Sequence, residues 1–83
     1  MVYELSFTDT FKRQFVKLEK QLQQRIISAL ERVKIRPEHF TTLLVGSPYY
    51  KLRIGDYRII LDIKKDKLII LVMEVGHRKN IYK

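Results

Sequence analysis

The sequence predicts an α+β domain in which one strand and two helices precede three or four further strands, in the order β-α-α-β(3-4). Apolar residues alternate with polar ones at the start of the chain, recur at helical spacing as far as Val33, and alternate again from Tyr50 onward. The chain has 83 residues, which suits a single domain over residues 1–83. We therefore expect a mainly antiparallel sheet with a helical hairpin covering one of its faces.

The first half of the chain predicts one strand and two helices. Side chains alternate over Val2–Phe7, and Thr8 and Asp9 follow, which are residue types that suit a helix N-terminus. A polar break at Glu19–Gln21 separates two apolar stripes, so we expect two helices. Pro37 is expected to close the second helix, because proline disfavours helical geometry at the residue before it. The stripes consist of Phe11, Phe15 and Leu18 in the first helix and of Leu22, Ile26, Leu30 and Val33 in the second.

The second half predicts a meander of strands after a loop-like region over residues 37–48. Within that region Thr41–Val45 is a candidate short edge strand. Gly55-Asp56 predicts a two-residue hairpin turn, because glycine accepts the positive φ that such turns require. This turn joins strands that are predicted over Tyr50–Ile54 and Tyr57–Ile63.

A second turn is interpreted at Lys65-Asp66, and the apolar strand Leu68–Val75 follows it. This last strand is the most continuously apolar one in the chain, so we expect it in the interior of the sheet with the first strand beside it. Side chains of one face then pack on the helices. They are Leu52, Ile54, Tyr57, Ile59, Leu61 and Ile63.

The opposite face of the predicted hairpin gathers cations. Arg53 opposes Arg58 in this register and Lys51 opposes Ile60, although like charges placed opposite each other destabilise a sheet. Asp62 is the candidate counter-ion, but it lies four residues along the strand from Arg58. We therefore expect an anion from outside the chain, and arginine forks well onto phosphate oxygens. The alternative is that these are ordinary solvated strand cations.

The same face is expected to have an apolar half and a terminal extension. The apolar half consists of Ile69, Leu71, Met73 and Val75. In this register Met73 opposes Arg58, and His77, Arg78 and Tyr82 fold over the same end of the face as a candidate acid–base set. The alternative is that His77 is a surface or packing residue and that Tyr82 packs on the sheet.

Composition restricts the class of protein. Seventeen Lys and Arg residues against nine Asp and Glu residues give a net charge of +8, which predicts attraction to nucleic acid or to an acidic protein. The alternative is a basic surface that serves solubility. The chain has no cysteine for disulfides or thiolate ligands, and its two histidines come from unrelated segments, so we expect no metal site and no cofactor. We find no signal peptide and no apolar run of roughly 20 residues, so we expect a soluble cytoplasmic protein without membrane contact.

These residue types suit the cleavage of RNA by its own 2′-hydroxyl group. That reaction needs a base, charge on the pentacoordinate phosphate, and an acid for the leaving 5′-oxygen. Arg53 and Arg58 are expected to stabilise the phosphate, and Lys51 to act as a base or general stabiliser. Tyr82 is a candidate to take or relay a proton. Arg78 or His77 are candidates to serve the leaving group.

The stretches YKLRIGDYRIILDI and VGHRKNIY resemble the RelE/ParE toxin superfamily, specifically its RelE-like mRNA interferase branch. The resemblance covers essentially the whole chain. It implies a RelE/ParE-like fold with the last strand next to the first, and a metal-independent, ribosome-dependent endonuclease that cuts mRNA in the A site. By motif position it implies catalytic roles for Lys51, Arg53, Arg58, Arg78 and Tyr82, with His77 as a further candidate.

The resemblance also implies partners. A cognate antitoxin is expected to occlude the cationic face, with the apolar half as its groove, and the toxin–antitoxin complex is expected to bind operator DNA. Two alternatives remain open at this point. One is a ParE-like toxin that inhibits DNA gyrase without nuclease activity, and the other is a member that serves only as an antitoxin partner or a nucleic-acid-binding module.

Overall fold

A computed structural model describes residues 2–77 of the chain. The helices and strands follow the order that the sequence predicts, with one additional short helix. In chain order the elements are β1 (Glu4–Phe7), α1 (Asp9–Phe15), α2 (Lys20–Val33), α3 (Pro37–Phe40), β2 (Thr42–Leu43), β3 (Tyr50–Ile54), β4 (Tyr57–Lys64) and β5 (Ile69–His77).

The strands form one five-stranded sheet in the order β1-β5-β4-β3-β2. All neighbours are antiparallel except β1 and β5, which run parallel. A parallel pair requires a long crossover, and α1 and α2 lie in the connection between these two strands. The prediction that the last strand lies inside the sheet, with the first strand beside it, is confirmed.

The predicted helical hairpin is also confirmed. Thr8 caps α1, since its Oγ1 accepts a hydrogen bond from the backbone N–H of Phe11 at 3.0 Å. The break between the helices is held by Gln23, whose Nε2 donates to the carbonyls of Phe15 and Leu18 at 2.9 and 3.1 Å. These bonds tie the end of α1 and the connection that follows it to the first turns of α2.

The helices bury their apolar stripes on one face of the sheet. Ile26, Leu30 and Val33 are fully buried, and Phe11 stacks between the rings of Phe7 and Phe15 at centroid distances of 5.5 and 5.4 Å. Hydrophobic burial supplies most of the favourable free energy of folding, so this single layer holds the domain together. The buried cluster comprises Phe11, Leu22, Ile26, Leu30, Val33, Leu52, Ile54, Ile59, Leu61, Ile70, Val72 and Val75.

The region after α2 differs from the prediction of a loop. Pro37 begins α3 instead of closing α2, which already ends at Val33. Proline suits a first helical position because its missing N–H has no helical partner there. Glu38 of α3 pairs with Lys65 at 3.2 Å, which lowers the pKa of the Glu38 carboxyl and raises the pKa of the Lys65 amine. Both side chains are exposed, so water screens this pair and it adds little stability. The edge strand β2 exists but spans only Thr42–Leu43.

The second turn is longer than the predicted Lys65-Asp66 pair. Lys64 pairs with Ile69, so residues 65–68 form the loop, and Leu68 takes a positive φ of 54°. The register of β4 and β5 is therefore two residues away from the predicted one. A shift of two preserves the faces, since side chains alternate with a period of two, and Ile70 and Val72 face the helices as expected.

A bulge in β5 changes the pairing of β4 with β5 beyond Leu61, so the rest of this register also differs from the predicted one. Leu61 pairs with Val72 but Ile60 pairs with Glu74, so Met73 is an extra residue with no partner in the ladder. The alternation of β5 is inverted beyond this point. Two predictions are therefore wrong. Gly76, not Met73, opposes Arg58, and Val75 lies in the core rather than on the cationic face.

Candidate functional site

Three of the predicted site residues converge on the sheet face that α1 and α2 leave uncovered. We call it the cationic face and define it by Lys51, Arg53, Arg58, Ile60 and Glu74. The predicted hairpin register is confirmed, since Arg53 lies directly opposite Arg58 and Lys51 opposite Ile60. Residues directly opposite each other in an antiparallel pair project to the same face. The Gly55-Asp56 turn therefore places two arginines directly opposite each other on neighbouring strands.

Arg58 differs from a solvated strand cation because it is only 7% exposed, whereas Arg53 is exposed. On β5 its cross-strand partner is Gly76, which has no side chain to compete for that space. Taking a guanidinium group out of water carries a cost that solubility alone does not justify. Arg58 is therefore not an ordinary solvated strand cation, whereas Arg53 is open to solvent.

The acidic residues near the site differ from those expected. Asp62 pairs with Lys64 at 3.1 Å, so its carboxylate is used further along β4. The bulge instead places Glu74 opposite Ile60 and two residues along β5 from the position opposite Arg58. Sequence reasoning missed Glu74, although a signal was present. Under strict alternation Glu74 would share the helix-covered face with Val72, where a carboxylate would be buried among apolar groups.

Helix α1 holds the bulge in place. Thr8 Oγ1 donates to the carbonyl oxygen of Met73 at 2.5 Å, and the Thr8 backbone N–H donates to Val72 at 3.1 Å. Gln14 Oε1 accepts a hydrogen bond from the backbone N–H of Val75 at 2.8 Å. These contacts satisfy backbone groups that the irregular ladder cannot pair. The cap and the last turn of α1 therefore stabilise the bulge that places Glu74 on the cationic face.

The remaining predicted residues do not all join this cluster. His77 pairs with Tyr57 across the strands, and the two rings meet edge-on with centroids 5.6 Å apart. Tyr57 packs against the core, so His77 projects toward the helix-covered face and away from Arg58. The expectation that it folds over the cationic end is therefore wrong. Arg78 and Tyr82 lie outside the described residues.

Within residues 2–77, no three His, Asp or Glu side chains come close enough together to hold a metal ion. The helices in that range are too short or too polar to cross a membrane.

Comparison with known proteins identifies a family. A family model described as the ParE toxin of the type II toxin–antitoxin system parDE matches residues 5–82. No curated protein matches the chain.

Several solved structures share the fold. The toxin–antitoxin complex RelBE2 from Mycobacterium tuberculosis contains a chain with a TM-score of 0.85 and 22% identity, over 94% of this chain and 100% of that one. The RelBE complex of E. coli gives a TM-score of 0.81 and 25% identity, over 90% of this chain and 95% of that one. The archaeal RelE–RelB complex from Pyrococcus horikoshii gives a TM-score of 0.82 and 22% identity, over 96% of this chain and 99% of that one.

Proposed function

The chain is a RelE-like member of the RelE/ParE superfamily of toxins from type II toxin–antitoxin systems, and we propose that it is a ribosome-dependent endonuclease that cleaves mRNA in the A site. The observation that carries this proposal is the pairing of Arg53 with a buried Arg58 on the sheet face opposite α1 and α2. Such a pair is suited to a phosphate group that gains negative charge during a reaction.

The proposed reaction uses the 2′-hydroxyl group of the RNA itself. The 2′-oxygen attacks the adjacent phosphorus, the bond from phosphorus to the 5′-oxygen breaks, and the products are a 2′,3′-cyclic phosphate and a 5′-hydroxyl. Arg53 and Arg58 stabilise the pentacoordinate phosphate. Lys51 or Tyr82 takes the proton of the 2′-hydroxyl, Arg78 stabilises the negative charge that develops on the leaving 5′-oxygen, and that oxygen takes up a proton from water to give the 5′-hydroxyl. We do not place His77 in this step, because its ring lies against Tyr57.

The ribosome is proposed to supply the substrate geometry for this reaction. The described part of the cationic face contains no His, so it offers few groups that transfer protons readily at neutral pH. Orienting the 2′-oxygen in line with the leaving oxygen lowers the barrier without further acid–base groups. We therefore propose that the mRNA is held in its reactive geometry by the A site, in the cytoplasm.

We further propose that a cognate antitoxin covers the cationic face and that the resulting complex, not the free toxin, binds operator DNA. The solved relatives in M. tuberculosis, E. coli and P. horikoshii are complexes of RelE-type toxins with RelB-type antitoxins. On this chain the half-buried Ile69 and Leu71 remain from the predicted apolar groove, since Val75 belongs to the core. A partner that brings carboxylates to Arg53 and Arg58 would keep the toxin inactive.

The test is to express Arg58→Ala and Arg78→Ala variants and to map mRNA 5′ ends on stalled ribosomes. We expect cleavage to fall by about 100-fold or more for Arg58→Ala, the usual cost of removing a group that stabilises the transition state. Arg13→Ala is the matched control, because Arg13 is exposed on α1. Thermal unfolding of each variant separates lost chemistry from lost fold. Full toxicity of both variants with intact mRNA would refute the nuclease.

One observation favours a second candidate. The matching family model is described as ParE, and a ParE-like toxin would inhibit DNA gyrase without nuclease activity. Gyrase-catalysed supercoiling, measured with the purified chain and with its Lys51→Ala and Arg58→Ala variants, distinguishes the two. Inhibition that survives both substitutions while mRNA stays intact supports the gyrase-directed toxin. No inhibition of gyrase, together with Arg58-dependent mRNA cleavage, supports the nuclease.

A further inference from the structure

A second cationic feature lies beside the cationic face, on the helix-covered side of the sheet. It is a cleft of about 610 Å³ between α2 and β3, and its lining includes Arg25, Arg32 and Arg53. No Asp or Glu side chain of the described chain lines this cleft. None of the ion pairs formed within residues 2–77 involves these three arginines. Among the described residues, the charged side chains that line this cleft are therefore all cationic. Glu19 and Asp56 line only the adjoining cleft, which shares Arg25, and neither forms an ion pair with it.

The pattern of α2 explains this arrangement. Gln21, Arg25, Ser28 and Arg32 follow the spacing i, i+4, i+7 and i+11, so they form one polar stripe along the helix. All four residues are exposed and line the cleft. A rise of 1.5 Å per residue separates the two arginines by about 10 Å along the helix axis. Each can therefore bind its own anionic group, with the hydroxyl of Ser28 between them and the amide of Gln21 one turn before Arg25.

The cleft is continuous with the cationic face through the hairpin. The Arg25 guanidinium lies over the turn, with Nη1 3.7 Å and Nη2 3.8 Å from the place where Gly55 would carry a Cβ atom. Arg53 lines the cleft and also stands opposite Arg58 on β3 and β4. Arg53 therefore belongs both to the pair with Arg58 and to the cleft that Arg25 and Arg32 line, and so connects the two cationic features.

An aromatic ring lies in the same cleft. Phe40 of α3 is 38% exposed and belongs to the cleft lining, and the His39 ring contacts it edge-on at a centroid distance of 4.8 Å. Proteins that hold single-stranded nucleic acid combine a cationic groove for the backbone with aromatic rings on which bases stack. An acidic polypeptide would use the arginines but has no need of an exposed ring beside them.

We propose that this cleft binds the sugar-phosphate backbone of the same RNA strand that is cleaved at Arg58, and that Phe40 stacks on one of its bases. This inference rests on the proposed nuclease function, because it assigns the cleft to that substrate. Arg25 and Arg32 are thus binding residues for the flanking RNA and not catalytic residues. They hold phosphates away from the scissile one, whereas Arg53 and Arg58 contact the scissile phosphate itself.

The test compares two double variants that remove equal charge. Arg25→Gln/Arg32→Gln changes the cleft, and Lys12→Gln/Lys17→Gln removes two exposed cations from the region of α1. The probes are 2′-O-methyl RNAs of about 12 and about 3 nucleotides. They cannot be cleaved, and their binding is followed by fluorescence anisotropy over a range of salt concentrations. Thermal unfolding confirms that both variants fold.

We expect Arg25→Gln/Arg32→Gln to lower the slope of log K against log salt for the long RNA by about 1.4, because each phosphate contact on a single strand contributes about 0.7. Binding of the long RNA should weaken about 10-fold or more, and binding of the short RNA should be unchanged. Phe40→Ala should weaken binding of the long RNA by about 5-fold or more, the usual effect of losing one stacked base. The control variant should behave as the unmodified chain does.

Two results would overturn the proposal. One is equal affinity of both double variants for the long RNA. The other is loss of poly-glutamate binding in Arg25→Gln/Arg32→Gln without loss of RNA binding, which would assign the cleft to an acidic protein. Failure of the nuclease proposal is seen separately, since Arg58-dependent cleavage on ribosomes can be absent while cleft-dependent binding of the uncleavable RNA persists.

Discussion

At the scale of single residues, two glycines shape the surroundings of Arg58. Gly76 stands opposite Arg58 on β5 and contributes no side chain there. Gly55 takes a φ of +58° in the hairpin turn, a conformation that costs other residues energy because their Cβ approaches the following carbonyl. The first glycine thus leaves space beside the guanidinium, and the second fixes the register that brings Arg53 opposite Arg58.

We expect Gly55→Ala to lower the free energy of unfolding by about 1 to 2 kcal/mol, through backbone strain at positive φ. The added Cβ itself fits, since its nearest contact is Arg25 Nη1 at 3.7 Å. Urea unfolding of Gly55→Ala and Gly55→Asn provides the check, because asparagine tolerates this conformation better than alanine. Equal stability of the two variants would contradict backbone strain as the reason for glycine at this position.

At the scale of elements, α1 has a role beyond packing. Its capping residue Thr8 hydrogen-bonds to the backbone of β5 at Met73, and the side chain of Gln14 does so at Val75. The bulge determines which residues of β5 reach the cationic face. A helix on one face of the sheet therefore decides the charge on the other face, by placing Glu74 there and moving Val75 into the core.

Thr8→Ala removes both the helix cap and the hydrogen bond to Met73. We expect it to lower the free energy of unfolding by about 1 to 3 kcal/mol, the sum of a lost cap and a lost hydrogen bond. Thr10→Ala is the matched control within α1, because Thr10 is exposed, and it should stay within about 0.5 kcal/mol of the unmodified chain. Equal effects of the two substitutions in urea unfolding would contradict the anchoring role of Thr8.

At the scale of the whole molecule, one apolar layer between two helices and one face of the sheet carries the stability. A domain of this size buries only about 60% of the surface of its unfolded chain, so its margin is small. The other face can then carry like charges for function. The free energy gained by burying the apolar side of α2 offsets the repulsion between Arg53 and Arg58.

Adjacent isoleucines on α2 test this division. Ile26 is fully buried, whereas Ile27 is 44% exposed. We expect Ile26→Ala to lower the free energy of unfolding by about 2 to 5 kcal/mol, since it leaves a cavity in the core, and Ile27→Ala to lower it by less than about 1 kcal/mol. Thermal or urea unfolding measures both. A loss at Ile27 as large as that at Ile26 would show that α2 buries a different face.

The order of helices and strands and the Gly55-Asp56 register followed from the sequence alone, because they depend on local chemistry. Apolar periodicity identified the buried face of α2, Thr8 marked the start of α1, and glycine at a turn fixed which residues oppose each other. These features act over a few residues, so a single chain contains enough information to predict them. The pairing of Arg53 with Arg58 belongs to this group.

The tertiary structure alone decided the bulge at Met73, the four-residue loop before β5, and the cleft between α2 and β3. Each of these depends on contacts between segments that are distant in sequence. Examples are the hydrogen bond that Thr8 donates to Met73 and the one that Gln14 accepts from Val75. A strand's alternation gives its two faces but not the point at which they exchange. A bulge forms where another element hydrogen-bonds to backbone groups that have no partner in the neighbouring strand.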